Sequence, residues 1–253
     1  MLKPKVSTSV VQALSNFNSS STCSANLTNT RKVIHVKIIE PGYEVLSPAL
    51  LQNDARKDAL RAIARAARTC YKSTGTNDRQ LVKQLVLSGH EAMLEHYSIS
   101  VKFFVDRGVS HEIVRHRLAS YAQESTRYCS YDKAKFGQEI TVVVPPNLTE
   151  VQLTTWTSAC IDAESKYFKL LREGCTAEIA RGVLPTSLKT EIVVTMNLRE
   201  WRHFFKLRAL GVTGRPHPQI KQVAYPLMVD FAMWLPEVFG DLIPDNQEKG
   251  DNK

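Results

Sequence analysis

The chain has 253 residues, 43% hydrophobic and 23% charged, with a formal net charge of +8. That length suits one large globular domain, or two small ones, with a sizeable core. Five cysteines without a CxxC pair disfavour a disulfide framework or a zinc ribbon and favour a reducing compartment; no apolar run approaches the ~18–20 residues of a membrane span.

Residues 1–32, rich in Ser, Thr and Asn, contain no acidic residue and no apolar signal core. They read as a disordered extension or as an organellar (mitochondrial or plastid) import segment on an otherwise cytoplasmic protein. Lys3, Lys5, Arg31 and Lys32 supply half of the excess charge, so the body is only modestly basic and suits anionic small molecules as well as nucleic acid. Residues 33–240 read as the folded domain and 241–253 as a polar tail.

Residues 33–39 are β-branched and predict a strand. The alanine-rich stretch 53–73 predicts a helix, and a second runs from the Thr/Asn/Asp start at 76 to the Gly89 stop. Strand 97–106 precedes a short helix over 108–118 and a loop over 119–127. A strand over 139–147 is closed by two prolines; residues 149–181 are mostly helical. Strand 190–198 leads into a helix ending near Leu210, a loop over 211–218 and a long helix over 219–238. Strands separated by helices in irregular order predict a mixed α/β (α+β) domain.

Three arginines and two histidines fall within "SHEIVRHRLASYAQESTRYCSY" (110–131) between His111 and Arg127. A wheel drawn over 108–118 sets Arg117 amid Val109, Ile113, Val114 and Leu118; Arg208 falls likewise between Trp201 and Phe204. A guanidinium in an apolar stripe needs an anion or full hydrogen bonding. A snorkelling side chain or an internal salt bridge meets that need, and so does a bound phosphate or planar imide. Glu124 offers an internal partner to one arginine but cannot neutralise Arg115, Arg117 and Arg127 together.

"GHEAMLEH" (89–96) satisfies neither HExxH nor HxxEH, so no metal site is expected. There is no GxSxG, no GxGxxG and no GxxxxGK[ST]. Ser120 and Ser125 suit donation to an oxyanion, and Cys129 beside Arg127 lacks any further mark of a nucleophile. The interleaved Tyr121, Tyr128 and Tyr131 admit a nucleic-acid reading, but backbone-tracking cations belong on exposed faces, so no nucleic-acid partner is expected.

"RHRLASYAQES" (115–125) fits the RHR-x7-S signature of the flavin-dependent thymidylate synthases, and its extended form runs through Ser120, Ser125, Arg127 and Tyr128. "AARTCY" (66–71), "GHEAMLEH", "ARGVLP" (180–185), "NLREWRHFFKLR" (197–208) and "HPQI" (217–220) resemble the family in order and spacing. The resemblance implies a homotetramer with shared active sites. It implies reductive methylation of dUMP to dTMP, with methylenetetrahydrofolate as carbon donor and NADPH or NADH reducing FAD. It implies dUMP contacts from Glu112, Arg115, Gln123, Glu124, Ser125, Arg127, Arg181 and Arg208, with Arg208 stabilising the ionised uracil. It implies flavin contacts from His90, Glu95, Arg115, His116, Arg117, Gln123, Asn197, Arg199 and His203. Glu112 stands where many members carry Gln, Gln123 where others carry Glu, Ala92 for a common Thr or Ser, and Ala122 for a polar residue. The rival readings are a non-catalytic nucleotide- or RNA-binding protein and a flavoprotein of the same fold acting on another pyrimidine nucleotide.

Overall fold

A computed structural model describes residues 36–48, 53–132 and 137–244. The expected N-terminal extension, residues 33–35 of the first strand and residues 245–253 of the tail lie outside the described residues.

Period-2 alternation builds the main sheet. In β3 (Ser98–Asp106) Ile99, Val101, Phe103 and Val105 are fully buried. In β6 (Lys189–Asn197) Ile192, Val194 and Met196 do the same. β2 (Gly42–Ser47) and β4 (Ala119–Gln123) flank them in the order β2-β3-β6-β4, every pair antiparallel. The other face carries Ser100, Lys102, Phe104, Val193 and Thr195, all part-exposed. There Lys102 lies between Glu44 (3.2 Å) and Glu191 (3.9 Å).

Helices cover the apolar face. α1 (Asn53–Tyr71) buries Ile63 together with Ala59, Ala64 and Ala67, three small residues that let its backbone approach closely. α2 (Asp78–Leu87) starts where the Asn77 side chain accepts from Gln80 N and stops before Gly89, whose φ is +72°. A 3₁₀ turn (Glu91–His96) follows. α3 (Arg107–Ile113) is capped by Asp106, whose Oδ1 accepts from Val109 N at 2.6 Å. α6 (Leu198–Phe205) continues β6 with Asn197 as cap, then widens into a π turn over Lys206–Leu210. The π turn closes on Gly211 at φ +74°. A Cβ there would lie 2.7 Å from Pro216 Cδ and 2.8 Å from Gly214 O, so both handedness and space require glycine. α7 (Pro218–Trp234) and α8 (Pro236–Phe239) complete the layer. Trp201, Phe204, Phe205, Phe231 and Phe239 pack edge to face at its centre.

A second core joins β1 (Lys37–Ile39) and β5 (Thr141–Val143), paired in parallel, to α4 (Glu150–Arg172) and α5 (Ala177–Ala180). Glu164 of α4 is fully buried there; Oε1 accepts from Ile140 N at 2.8 Å and Oε2 has no partner among the described residues. Burial pushes its carboxyl up to about 7. Its folded pKa exceeds the unfolded value, so its contribution is full below pH 4.5 and is lost as pH rises through about 7. Glu164→Gln is therefore expected to match the wild type in thermal denaturation at pH 5. At pH 8 it should be more stable by roughly 1–3 kcal/mol.

Several expected boundaries move. The helix over 108–118 ends at Ile113, and residues 119–123, expected as loop, form β4 because they pair with β6 from Met196 to Ile192. The strand expected over 139–147 keeps only Thr141–Val143. Chain past residue 240 is still structural: Leu242 is buried and Asp241 binds Arg202. Among the described residues no helix is long and apolar enough to cross a membrane.

Candidate active site

The chain turns sharply after α3. Arg115 N bonds to Glu112 O and His116 N to Ile113 O, while the Tyr121 hydroxyl of β4 faces the carbonyls of Ile113 and His116. This turn drives His116 inward, 4% exposed, and leaves Arg115 and Arg117 exposed. The wheel reading of Arg117 is thus corrected: beyond Ile113 there is no helix to hold it in a stripe, and Val114 and Leu118 are 39% and 70% exposed. Neither Arg115 nor Arg117 has an ion-pair partner among the described residues.

Arg208 sits on the π turn, where one extra residue per turn re-aims the side chain off the face set by α6. Its Nη1 donates to Glu112 Oε2 at 2.8 Å, its Nη2 to Glu112 O at 3.2 Å and its Nε to His116 Nε2 at 3.2 Å. Of the ways of satisfying Arg208 that the sequence left open, the internal salt bridge is present, with Glu112. A guanidinium only donates, so His116 Nε2 holds a lone pair and the ring proton is on Nδ1. That proton is donated to Glu200 Oε1 at 3.0 Å. Burial, then the charges of Arg208 and His203, push His116 down to about 4, so it is neutral at physiological pH. Burial pushes the Glu200 carboxyl up.

The rest of the expected flavin set borders this chain of contacts. Asn197 caps α6 by accepting from Glu200 N at 2.9 Å. Exposed His203, on the same helix, packs its ring edge-on to His116 with centroids 5.5 Å apart. Arg199 binds Glu95 of the 3₁₀ turn at 2.6 Å, and exposed His90 precedes that turn. His116, Glu200 and His203 offer ligand atoms within 4.8 Å of one another. Both ring nitrogens of His116 are already engaged and a guanidinium lies alongside, so the trio is a hydrogen-bond network and not a metal centre.

The residues expected to hold the nucleotide form a second group at the end of β4. Gln123 Nε2 donates to Ser110 Oγ at 2.9 Å and Thr190 Oγ1 at 3.2 Å. Glu124, weighed as a partner for the arginines, binds Lys189 instead at 3.1 Å. Ser125 Oγ accepts from Arg127 N, Arg127 pairs with Glu178 at 2.7 Å, and Arg181 Nη1 donates to Thr126 Oγ1 at 3.0 Å. α3 bridges the groups, Ser110 touching Gln123 and Glu112 touching Arg208. A cavity lined by Lys57, Leu60, Arg61, Thr76, Asn77, Asp78 and Arg79 contains none of the expected residues.

Glu200, Lys189, Glu178 and Thr126 were absent from the sequence expectations. Asn197-x-x-Glu200 has capping-box spacing, which disguises Glu200 as a helix cap, although its side chain turns to His116. The other three carry no local signal.

The family model for the thymidylate synthase complementing protein matches residues 50–237. The chain belongs to that family, the family of the flavin-dependent thymidylate synthases. The flavin-dependent thymidylate synthase of Geobacter sulfurreducens is 34% identical over 209 residues, covering 78% of this chain and 86% of the relative. That of Pyrococcus horikoshii is 36% identical over 167 residues, covering 64% and 66%. The crystal structure of the UMP/dUMP methylase PolB from Streptomyces cacaoi, bound with 5-Br dUMP, shares the fold. It has a TM-score of 0.67 and 24% identity, covering 81% of this chain and 96% of that one.

Proposed function

We propose that the protein is a flavin-dependent thymidylate synthase, converting dUMP to dTMP with methylenetetrahydrofolate as carbon donor and NADPH or NADH as reductant of FAD. The observation that carries this reading is the Arg208 site. A guanidinium is held by Glu112 and a neutral His116, and two of its five N–H groups remain for a ligand. Uracil must become electron-rich at C5 to attack a methylene carbon, and a fixed guanidinium near N3 and the carbonyl oxygens favours the ionised ring. The chain's own work is to place that cation, keep His116 uncharged beside it and exclude water with the aromatic core behind α6.

The residues suit FAD. Arg115 and Arg117 supply two exposed guanidiniums without internal partners, fitting a pyrophosphate, and His203 and Asn197 flank the buried His116. When bound and reduced by NADPH or NADH, the flavin would supply the hydride that reduces the transferred one-carbon group. His90, Glu95 and Arg199 line the outer rim of that set. Ser125, Arg127 and Arg181 are donors suited to the nucleotide phosphate, and Gln123 and Glu124 to its ribose and base. Exposed Val114, Leu118 and Tyr128 lie beside these residues, at 39%, 70% and 75% exposure. These exposed apolar side chains support a homotetramer in which neighbouring subunits complete each site. A binding-only protein would have no need of a buried, neutral histidine aiming an arginine.

Bound flavin tests the reading. Purified protein incubated with FAD and desalted is expected to retain flavin absorbance near stoichiometry, and to bleach when NADPH or NADH is added with dUMP. Protein that elutes colourless after loading would contradict it.

A further inference from the structure

One residue engages both terminal nitrogens of Arg208: the Glu112 carboxylate takes Nη1 and the Glu112 main-chain carbonyl takes Nη2. Glu112 lies in the last turn of α3, which is fixed at its start by the Asp106 cap and held to the sheet by buried Val109 and Ile113. The two residues are 96 positions apart in the chain, so the contact is made by the tertiary fold and not by local geometry. His116, itself oriented by Glu200, holds the third nitrogen.

An ionised carboxylate is an acceptor only and cannot donate to a pyrimidine carbonyl. A carboxylate 2.8 Å from the guanidinium also weakens the positive field that reaches a third group. We infer that Glu112 is a positioning residue: it aims the two free N–H groups of Arg208 at the pyrimidine and partly offsets its charge, without contacting the nucleotide. This inference rests on the functional reading above. It assigns Glu112 a role different from the direct dUMP contact implied by the family resemblance. Aim and charge then separate cleanly. An amide at this position still accepts from Nη1 and keeps the aim. A shorter carboxylate keeps the charge and misplaces the acceptor by one methylene.

The test compares Glu112→Ala, Glu112→Gln and Glu112→Asp by tritium release from C5-labelled dUMP, with dUMP affinity measured separately by titration of the bound flavin's absorbance. Glu112→Ala is expected to lose turnover by roughly ten- to hundredfold, the range for one charge-assisted hydrogen bond. Its dUMP affinity should stay within about threefold. Glu112→Gln should recover turnover to within about threefold of wild type, and Glu112→Asp should fall below Glu112→Gln. The inference is overturned if Glu112→Ala turns over like wild type, if Glu112→Gln is as slow as Glu112→Ala, or if dUMP affinity falls in step with turnover. If Glu112→Ala does not fold, the order of the Gln and Asp variants decides: Asp equal to or faster than Gln overturns the inference. An inactive wild type indicts the functional reading and not the role of Glu112.

Discussion

Arg208→Ala is expected to lower dUMP turnover by roughly 10²–10³-fold, the range for removal of one preorganised donor from a developing anion. Folding should survive. The π turn is closed by Gly211, and Ala209 on the same turn remains in the core. What is lost is a side chain 16% exposed that binds only Glu112 and His116 among the described residues. Glu112 keeps partial access to water at 25% exposure, so its uncompensated charge costs little beyond about 1–2 kcal/mol. His116 then loses the guanidinium that adds to its depressed basicity and should protonate more readily in acid. Far-UV circular dichroism and a melting curve separate the outcomes. Wholesale unfolding of Arg208→Ala would make it a structural arginine.

Arg202→Met is the opposite case, with a large effect on stability expected. Arg202 is 3% exposed and bound on every side: Asp241 takes Nη1 and Nη2 at 2.6 and 2.7 Å, Glu91 takes Nε at 2.9 Å, and the Val238 carbonyl accepts from Nη1. It ties α6 to the 3₁₀ turn Glu91–His96 and to a second 3₁₀ turn, Gly240–Leu242. Removing the guanidinium leaves the Val238 carbonyl and a 41% exposed Asp241 without it and Glu91 with only Lys206 at 3.7 Å among the described residues, at a cost of about 3 kcal/mol. For a chain of this size that lowers Tm by roughly 10 °C. A Tm within about 2 °C of wild type would show that Asp241 and Glu91 find water as easily as they find Arg202.

The pair shows where sequence reasoning reached and where it stopped. Both arginines lie in one helical stretch between aromatic residues, but the wheel singled out only Arg208, between Trp201 and Phe204, and not Arg202. Which one serves the fold and which the ligand depends on partners far along the chain, at Asp241 and at Glu112. β3, β6, α1 and α2 were legible because periodicity and caps are local: Asn77, Asp106 and Asn197 each accept from a backbone N–H three residues on. β4 was not legible, because its pattern of Ser, Tyr and Ala becomes a strand only against β6. The apolar Val114 and Leu118 extended the wheel past the real helix end and put Arg117 in a stripe that the chain does not form. The RHR motif itself was the firmest signal. Through the resemblance it supplied the expected site residues, Glu112 among them, while the pairings Glu112–Arg208, Glu200–His116 and Lys189–Glu124 emerged only from the tertiary fold.

The central claim is chemical: this chain activates C5 of dUMP for methylation. Its most direct test is release of tritium from [5-³H]dUMP by flavin-loaded, assembled protein with NADPH and methylenetetrahydrofolate. The account predicts tritium in water in step with dTMP formed, because the C5 proton must leave as the methyl group takes its place. Soluble, flavin-bearing protein that releases no tritium above the enzyme-free control, with NADPH or with NADH, would contradict it.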